Sequence, residues 1–346
     1  MAAMEDAHVT SNYVVNTTVY TTLYTQAVSQ NAAHLSLVRL SIQYINIIVK
    51  VFGISSNILN ILVWKHKLFR YSSCSTYILN IAIWDMVFLV TSLPFMLYGT
   101  GLRNNYGFVV FIYYWIIPNS FVYTISSLAS RYITVALTVE RFIAIRFPAK
   151  SVVWCTPKRT RLCVTLLTLA CLIQNVQALF YQKPVLYWNQ YRNKYEVSVA
   201  LTEYFKNNGT NAAFRWTRVV LRSVVPCVLL MISNILLIHA LFVSRSRRQT
   251  LQEAQLPRGQ QDVSAAQMVA ILSSIFLCLT LFEAVNDSAS AVLISFVHTK
   301  LWQLLRDIRD LLLNINAAMN FVIYVVYSKR FRDILCKVLH VNGNST

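Results

Sequence analysis

The chain has 346 residues, of which 56% are hydrophobic and only 13% are charged. Because a soluble domain has roughly 45–50% apolar and about 25% charged residues, this composition excludes an ordinary soluble protein and predicts an integral membrane protein. The formal net charge of +18 would suggest nucleic acid binding in a soluble chain, but here it indicates cytoplasmic loops that face anionic lipid, and we expect no nucleic-acid partner.

The N-terminal 40 residues are polar and rich in Thr, Asn and Ser. They lack the basic stretch and the short apolar core of a cleaved signal peptide, so we expect the first membrane span to act as the signal anchor. Residues 1–40 are interpreted as an extracellular tail, and Asn16 in the triplet Asn-Thr-Thr is a candidate glycosylation site.

Seven apolar segments follow, each close to or above the roughly 20 residues that a helix needs to cross a bilayer. They lie at residues 41–64, 76–99, 109–139, 162–181, 219–243, 266–296 and 308–327. The seventh is expected to begin late because four charged residues at 306–310 precede its apolar run. The predicted fold class is an all-α membrane protein in which residues 41–327 form a seven-transmembrane helix bundle.

Basic residues cluster at one end of the predicted bundle, and this bias sets the orientation of a membrane protein. They follow the first, third, fifth and seventh spans: Lys65, Lys67, Arg70, Arg146, Lys150, Lys158, Arg159, Arg161, Arg245, Arg247, Arg248, Arg258, Lys329, Arg330, Arg332 and Lys337. We therefore place the N-terminus outside and the C-terminus inside a multi-pass plasma membrane protein. The loop between spans four and five is then extracellular, and Asn208 within it is a second candidate glycosylation site.

All seven cysteines lie in predicted spans or on the inner side, where thiols stay reduced. The predicted outer segments 1–40, 100–108, 182–218 and 297–307 contain none, so we expect no extracellular disulfide. Cys336, beyond the seventh span, is either a palmitoylation site in a basic amphipathic stretch or an unmodified cysteine.

Charged residues occur at two particular places within the apolar spans. Asp85 ends the segment Asn-Ile-Ala-Ile-Trp-Asp in span two, where a charged side chain costs at least about 2.5–3.5 kcal/mol and therefore requires polar partners. Span three ends in Glu140, Arg141 and Phe142, with a proline six residues after the phenylalanine. A charge pair at the cytoplasmic rim can be broken and re-formed by a neighbouring helix, and a lone interfacial arginine is the alternative interpretation.

These motifs resemble those of the rhodopsin-like (class A) G-protein-coupled receptors, and the resemblance covers roughly residues 40–340. Other segments are similar too: Gly53 and Asn57 in span one, Pro226 in span five, Asn316 to Tyr324 with Phe321 in place of proline in span seven, and Ser328 to Arg332 at the start of a short amphipathic eighth helix. Residues 328–346 are accordingly expected to form this helix and a cytoplasmic tail. The stretches 129–142, 226–237 and 320–324 are most similar to invertebrate FMRFamide- and myosuppressin-type neuropeptide receptors.

The resemblance implies a heterotrimeric G protein as the inner partner, no enzymatic activity and specific roles for individual residues. It implies a G-protein switch formed by Glu140, Arg141, Phe142, Asn320 and Tyr324. It also implies an intramembrane polar network formed by Asn57, Asp85, Ser130, Asn316 and Asn320. A sodium ion at Asp85 is the one bound cofactor that the resemblance implies, and no other metal is expected.

Several features of the family are missing. Ile116 stands where the family has a cysteine at the outer end of span three, and the partner cysteine in the next outer loop is missing as well. Thr280 and Phe282 replace the tryptophan and the kinking proline of span six. Because a helix without proline has no built-in kink, we expect the movement of span six during activation to differ from that of the family.

The resemblance implies a ligand pocket between the outer halves of spans three, five, six and seven. Tyr123 stands where amine receptors carry an aspartate and Asn314 where opsins carry the retinal lysine, so neither a monoamine receptor nor a photopigment is expected. Carboxylates at Glu283, Asp287 and Asp310 instead suggest a cationic ligand, such as a peptide that ends in Arg-Phe-amide.

Internal ion pairing is the alternative role for these carboxylates. Two arginines alternate with the aspartates at the top of span seven and could neutralise them. Arg131 lies deep in span three and must find a carboxylate, for which Asp85 and Glu283 are both candidates. A pair between Arg131 and Glu283 would weaken the argument for a cationic ligand.

The sequence thus favours a cell-surface receptor for a neuropeptide. A chemosensory receptor of the same fold, with an environmental ligand, is the alternative. A transporter is less consistent with the sequence, which shows neither inverted repeats nor paired broken helices. The sequence also lacks the motifs His-Glu-x-x-His and Gly-x-Ser-x-Gly and a nucleotide-binding loop, so it gives no support for an enzyme.

Overall fold

The computed structural model describes residues 34–69, 72–100, 102–191, 193–251, 257–293 and 299–341. Its helices in chain order are α1 (His34–Trp64), α2 (Ser73–Thr100), α3 (Tyr106–Arg146), α4 (Pro148–Trp154), α5 (Pro157–Asn175), α6 (Ala178–Tyr181), α7 (Asn208–Val219), α8 (Val225–Leu251), α9 (Pro257–Val292), α10 (Lys300–Tyr327) and α11 (Lys329–Val341). Short 3₁₀ helices occupy Lys67–Phe69, Leu102–Asn104 and Glu203–Lys206, and a π-helical turn at Val220–Val224 joins α7 to α8.

Seven helical segments within this described part of the chain are long and apolar enough to cross a membrane. They correspond one to one with the predicted spans: α1, α2, α3, α5 with α6, α7 with α8, α9, and α10. The predicted seven-helix bundle is therefore confirmed. Below, the end of the bundle at which α3 begins is called the outer end, following the predicted orientation, and the opposite end the inner end.

Local sequence fixes where several helices begin. The side chains of Asn105, Thr156 and Thr299 accept hydrogen bonds from first-turn amides of α3, α5 and α10, respectively. Pro148 and Pro157 occupy the first turns of α4 and α5. Backbone amides there have no acceptor within the helix, so the missing amide hydrogen of proline costs no hydrogen bond. These signals keep the connection between α3 and α5 short and helical.

α3 lies at the centre of the bundle, where it packs against α2, α5, α8 and α9. Its residues Ile133 and Leu137 are fully buried in the main apolar core. α1 approaches closely at Gly53, where an added Cβ would lie 2.7 Å from Leu89 Cδ1 and 3.1 Å from Ala318 Cβ. A larger residue at this position would require the Leu89 side chain to move and Ala318 of α10 to shift by a few tenths of an ångström, so glycine permits the close approach of α1.

All seven spanning helices begin three to eleven residues before the predicted bounds of their spans, so that α1 already begins at His34 within the predicted tail. Two of the other early starts change the outer end of the bundle. α10 begins at Lys300 rather than near residue 308, because the charged residues of its first turns are ion-paired within the bundle instead of ending the span. α7 begins at Asn208, so the fifth span extends into the segment predicted as an outer loop.

Two strands between α6 and α7 add a β-hairpin to the predicted all-α fold. β1 (Gln182–Asn189) pairs in antiparallel register with β2 (Lys194–Leu201), and Asn193 in the turn has a left-handed φ of 49°. The backbone amide of Val197 donates to the Tyr98 hydroxyl at 3.2 Å, and both strands contact α3. The hairpin therefore lies over the outer end of the bundle.

α11 lies where the sequence predicts an amphipathic eighth helix. It buries Phe331 and Ile334, and the Phe331 ring packs 5.6 Å from the rings of Tyr324 and Trp64. Tyr324, a predicted switch residue, is thereby held in an aromatic cluster at the inner end. Cys336 is exposed on the same helix.

Reduction should leave the hairpin intact. None of the seven cysteines forms a disulfide and none lies in residues 182–201, so the hairpin depends on strand pairing and on its contacts with α3. We expect dithiothreitol to cause no measurable change in the Tm of the purified protein in detergent. A disulfide-containing membrane protein in the same buffer is the control, and a fall in Tm confined to the reduced sample would contradict the expectation.

Candidate functional site

Glu140 and Arg141 form an ion pair near the inner end of α3, with 2.6 Å between Arg141 Nη2 and Glu140 Oε1. Glu140 also accepts a hydrogen bond from the Ser73 hydroxyl of α2. Both charged side chains are buried, and Arg141 lines a cavity of about 460 Å³. Phe142 is half-buried, and its ring lies edge-on to that of Phe147 at 6.1 Å. A basic group thus forms part of the wall of the inner cavity.

Asp85 is buried in α2 and joins three helices. It accepts a hydrogen bond from the Ser130 hydroxyl of α3 at 2.7 Å and another from the Asn320 side-chain amide of α10 at 2.6 Å. Among the described residues, Asn57 makes no hydrogen bond with Asp85. Its side-chain amide instead donates to the Ala317 carbonyl at 2.9 Å. The predicted polar network is therefore divided between a cluster at Asp85 and a separate tie between α1 and α10.

A small cavity of about 20 Å³ lies beside Asp85 and is also lined by Ser130, Asn316 and Arg131. This volume is sufficient for one water-sized particle. The carboxylate, hydroxyl and amide oxygens in its wall are ligand types that suit a hard cation such as sodium. Asp85, Ser130 and Asn316 therefore offer suitable ligand types for the ion that the resemblance implies, and the Arg131 guanidinium in the same wall is paired with Glu283.

Arg131 pairs with Glu283 rather than with Asp85, which decides between the two partners that the sequence left open. Arg131 Nη2 lies 2.6 Å from Glu283 Oε2, and the two side chains are only 4% and 1% exposed. Arg131 also donates to the Ser127 hydroxyl at 2.7 Å and to the Arg222 carbonyl at 3.0 Å. The Arg222 guanidinium lies 3.6 Å from Glu283 Oε1, so the cluster joins α3, the π-helical turn and α9.

The structure places Glu283 and Asp287 in internal ion pairs, which weakens the argument that they contact a ligand. Glu283 is enclosed by Arg131 and Arg222, and it does not line the outer cavity. Asp287 accepts a hydrogen bond from the Ser223 hydroxyl at 2.9 Å and lies 3.2 Å from Arg309 Nη1. Internal cations therefore neutralise both carboxylates, as in the alternative interpretation of the sequence.

The two aspartates at the top of α10 also form ion pairs, but both line the outer cavity. Asp307 lies 2.7 Å from Arg39 Nε, and Asp310 lies 2.8 Å from Arg309 Nη2. The Asp310 side chain is 41% exposed and lines the outer cavity. Of the predicted ligand carboxylates, Asp310 is thus the one that the structure leaves accessible.

The outer cavity has a volume of about 390 Å³ and lies between α1, α2, α3 and α10, under the hairpin. Tyr123 lines it, with the tyrosine ring 4.6 Å from that of Phe88. The sequence predicts a pocket between the outer halves of spans three, five, six and seven. The outer cavity shares α3 and α10 with this prediction, but α1 and α2 line it in place of α8 and α9. The carboxylates of α9 are instead paired with internal cations.

Sequence reasoning missed two charged residues of the bundle interior. Lys50 of α1 is 5% exposed, lines the outer cavity and donates from Nζ to the Ser92 carbonyl at 3.3 Å. The sequence did indicate Lys50, because a lysine inside an apolar membrane span requires a functional or structural reason. Arg222 reaches Glu283 from the π-helical turn, and a turn of this kind leaves no clear pattern in the sequence.

The predicted modification sites stay predictions. Asn16 lies outside the described residues. Asn208 is the first residue of α7, and Cys336 is exposed on α11.

Comparison with known proteins shows the same architecture. A family model described as the serpentine type 7TM GPCR chemoreceptor Srw matches residues 44–342. The FMRFamide receptor of Drosophila melanogaster is 24% identical over 296 residues, an alignment that covers 83% of this chain and 51% of that receptor. The chain therefore spans about half the length of this relative.

Two further relatives are similar over more of their own length. The sex peptide receptor of Drosophila melanogaster is 24% identical over 299 residues, covering 82% of this chain and 68% of that receptor. An FMRFamide peptide receptor of Caenorhabditis elegans is 25% identical over 308 residues, covering 85% of this chain and 68% of that receptor.

Proposed function

Because the chain belongs to the family of serpentine seven-transmembrane G-protein-coupled receptors of the chemoreceptor Srw type, we propose that it is a cell-surface receptor for a neuropeptide. The names of the similar receptors, two of which are FMRFamide or FMRFamide peptide receptors and one a sex peptide receptor, support a peptide as the ligand. The partner at the inner end is a heterotrimeric G protein, and the receptor has no enzymatic activity.

The observation that carries this proposal is a pair of cavities at opposite ends of one bundle. The outer cavity is lined by Tyr123 and Asp310, and the inner cavity is lined by Arg141. Between them lie the charge cluster of Arg131 and the hydrogen bonds of Asp85, both of which join several helices. A ligand that changes helix packing at one end therefore has a physical route to the other.

The proposed ligand is a cationic amidated peptide. Asp310 is the carboxylate placed to share its charge with a ligand cation, because its side chain is both exposed and beside the outer cavity. Arg309 already neutralises part of this charge, so the ligand cation adds to a pair rather than meeting a free carboxylate. Glu283 and Asp287 have no part in this contact.

Other proposals follow from the same assignment. Residues 1–40 form an extracellular tail that ends in the first turns of α1, and glycans are attached at Asn16 in this tail and at Asn208 at the start of α7. Residues 328–346 form the cytoplasmic helix and tail, with palmitate on Cys336. A sodium ion is held by Asp85, Ser130 and Asn316. When bound, this ion supplies a positive charge that stabilises the buried carboxylate.

A chemosensory receptor for an environmental ligand is the second candidate function. The description of the matching family as chemoreceptors favours it. The two candidates differ in where the receptor acts. Expression in interneurons or muscle supports a neuropeptide receptor, whereas restriction to ciliated sensory endings supports the chemosensory alternative.

A ligand screen tests the proposed function. Cells that express the receptor with a promiscuous G protein are exposed to a library of amidated peptides, and calcium release is measured. We expect at least one cationic amidated peptide to give a saturable response. The same cells without the receptor are the control, and a library with no active peptide at verified surface expression would count against a peptide ligand.

A further inference from the structure

An aromatic groove lies on the surface of the bundle near its outer end, between α3, α6, the base of the hairpin and the 3₁₀ helix that follows β2. It has a volume of about 580 Å³, within the range of small-ligand sites. Three of its rings are largely exposed: Tyr114 is 72%, Phe180 is 65% and Tyr204 is 71% exposed. Several exposed rings around one groove mark an interaction surface. We call it the lateral groove, and its lining includes Tyr113, Tyr114, Ile117, Phe180, Lys183 and Tyr204.

Contacts behind the lateral groove fix its shape. The Thr202 hydroxyl donates to the Phe180 carbonyl at 2.7 Å, which ties the end of β2 to α6. The Tyr181 ring packs 5.1 Å from that of Phe205 and 4.1 Å from that of Phe214. These contacts join α6 to the 3₁₀ helix and to α7, so the groove has walls that are built by the protein itself.

The lateral groove lies at the depth of the outer lipid headgroups. Along the axis of α3, Tyr114 lies about 40 Å outward from Arg141 at the inner end. A bilayer with its headgroup regions is about 40–45 Å thick. On the span formed by α5 and α6, Phe180 lies about 30 Å outward from Arg161, which is roughly the thickness of the hydrocarbon core. Both spans therefore place the exposed rings where the hydrocarbon ends and the headgroups begin.

The lining of the lateral groove changes from apolar to charged in the outward direction. Ile117 lies one turn further in than Tyr113 on α3. At the outer rim, the ammonium groups of Lys183 and Lys206 lie 3.5 Å and 2.8 Å from the same carboxylate oxygen of Glu203. Within the described part of the chain, two cations thus share one carboxylate, which leaves the rim with one positive charge in excess.

We propose that the lateral groove binds the phosphocholine headgroup of an outer-leaflet phospholipid. The quaternary ammonium lies against the rings of Tyr114 and Tyr204, because a cation is attracted to the face of an aromatic ring. The phosphate accepts a hydrogen bond from the Lys183 ammonium at the rim, and an acyl chain lies against Ile117. This site lies outside the ligand and G-protein sites of the proposed function and does not depend on them.

Other membrane lipids complement the lateral groove less well. Phosphatidylethanolamine carries a primary ammonium, which is compact and strongly hydrated, so it gains less from the rings than a quaternary ammonium does. Phosphatidylglycerol supplies a phosphate for Lys183 but no cation for the rings. A sterol carries neither charge and leaves the excess positive charge of the rim without a partner.

Native mass spectrometry of the full-length protein, purified in detergent, tests the choice of headgroup. Phosphatidylcholine, phosphatidylethanolamine and phosphatidylglycerol with the same palmitoyl and oleoyl chains are titrated separately, and cholesterol is a fourth probe. We expect phosphatidylcholine to bind about 3- to 10-fold more tightly than phosphatidylethanolamine. Equal binding of these two lipids, or tighter binding of any other probe, overturns the proposal.

Two variants assign the binding to the lateral groove. Tyr114→Leu and Lys183→Met should each weaken binding of phosphatidylcholine about 3- to 10-fold, and Tyr114→Leu should also reduce the preference over phosphatidylethanolamine. Tyr191→Leu, in the exposed hairpin turn, and Lys150→Met, on α4, are the matched controls and should bind as wild type does. Wild-type affinity in both groove variants overturns the proposal, and if one of them does not fold, the other carries the test.

A probe without acyl chains distinguishes a membrane lipid from a soluble ligand. Free phosphocholine should bind at least about 10-fold more weakly than phosphatidylcholine, because it leaves the apolar wall at Ile117 uncovered. Equal binding of the two would show that the groove recognises a soluble quaternary ammonium compound and would overturn the assignment to a lipid.

Discussion

Glu283→Gln is expected to remove most of the receptor from the cell surface. The change leaves Arg131 and Arg222 without their buried carboxylate, and the Arg131 side chain is only 4% exposed. Breaking a buried pair by removing one partner costs about 3–5 kcal/mol, because the remaining charge stays desolvated. Surface immunostaining and the Tm of purified protein measure this loss.

A double variant and a surface variant serve as controls for Glu283→Gln. Arg131→Met added to Glu283→Gln removes the main unpaired charge and should recover part of the surface level. Glu203→Gln breaks exposed pairs with Lys206 and Lys183 and should have no effect on surface level. The Lys206 hydrogen bond lowers the pKa of the Glu203 carboxyl. Normal surface levels of Glu283→Gln, with weaker agonist potency, would restore Glu283 as a ligand contact.

Arg141→Ala should reduce agonist-evoked second-messenger output to the level of cells without receptor. The guanidinium lines the inner cavity beside its partner Glu140, where a G-protein segment would have to contact it. Ligand affinity at the outer end and surface expression should change much less, because the outer cavity lies at the opposite end of the bundle. Calcium release and radioligand binding on the same cells separate the two effects.

Arg146→Ala is the matched control for Arg141→Ala. Arg146 is the last residue of α3 and is exposed, with its guanidinium 5.5 Å from the Phe147 ring centroid. Its loss removes the same charge a short distance away, and signalling should stay close to wild type. Full signalling by Arg141→Ala at matched surface levels would be incompatible with the proposed coupling site.

The membrane spans could be predicted because the length of an apolar run is a local property. The start of α10 could not, since its charged residues look like the end of a span until their partners are known. Arg309 is neutralised by Asp287 of α9 and by its neighbour Asp310, and these contacts let the helix continue outward. The contact with Asp287 exists only in the folded bundle, because Asp287 belongs to a different helix.

The partner of Arg131 shows what the sequence leaves undecided. Its depth in span three limited the choice to Asp85 and Glu283, but the selection depends on how the helices are rotated and shifted against one another. The π-helical turn alters this alignment for Arg222, which then approaches Glu283 as a second cation. Lys50 was visible in span one but had no neighbour in sequence that explained it.

The hairpin did leave a signal in the sequence. Tyr195, Val197 and Val199 alternate with other residues along β2, and this period of two is typical of a strand. The strongly apolar composition of the whole chain favoured helices instead. Ile116 stands where the family has a cysteine, and the paired strands of the hairpin are the feature of this outer loop that the sequence analysis does not predict.

The thiol-free hairpin also bears on how this protein is made. Members of a fold that depend on a disulfide must mature where oxidoreductases operate, since thiols in the cytosol stay reduced. The pairing of β1 with β2 needs only backbone hydrogen bonds and therefore forms equally well in a reducing compartment. Folding of the outer hairpin therefore does not depend on an oxidising compartment. Bacterial inner membranes, or cell-free lysates with added lipid, are suitable systems for producing the protein.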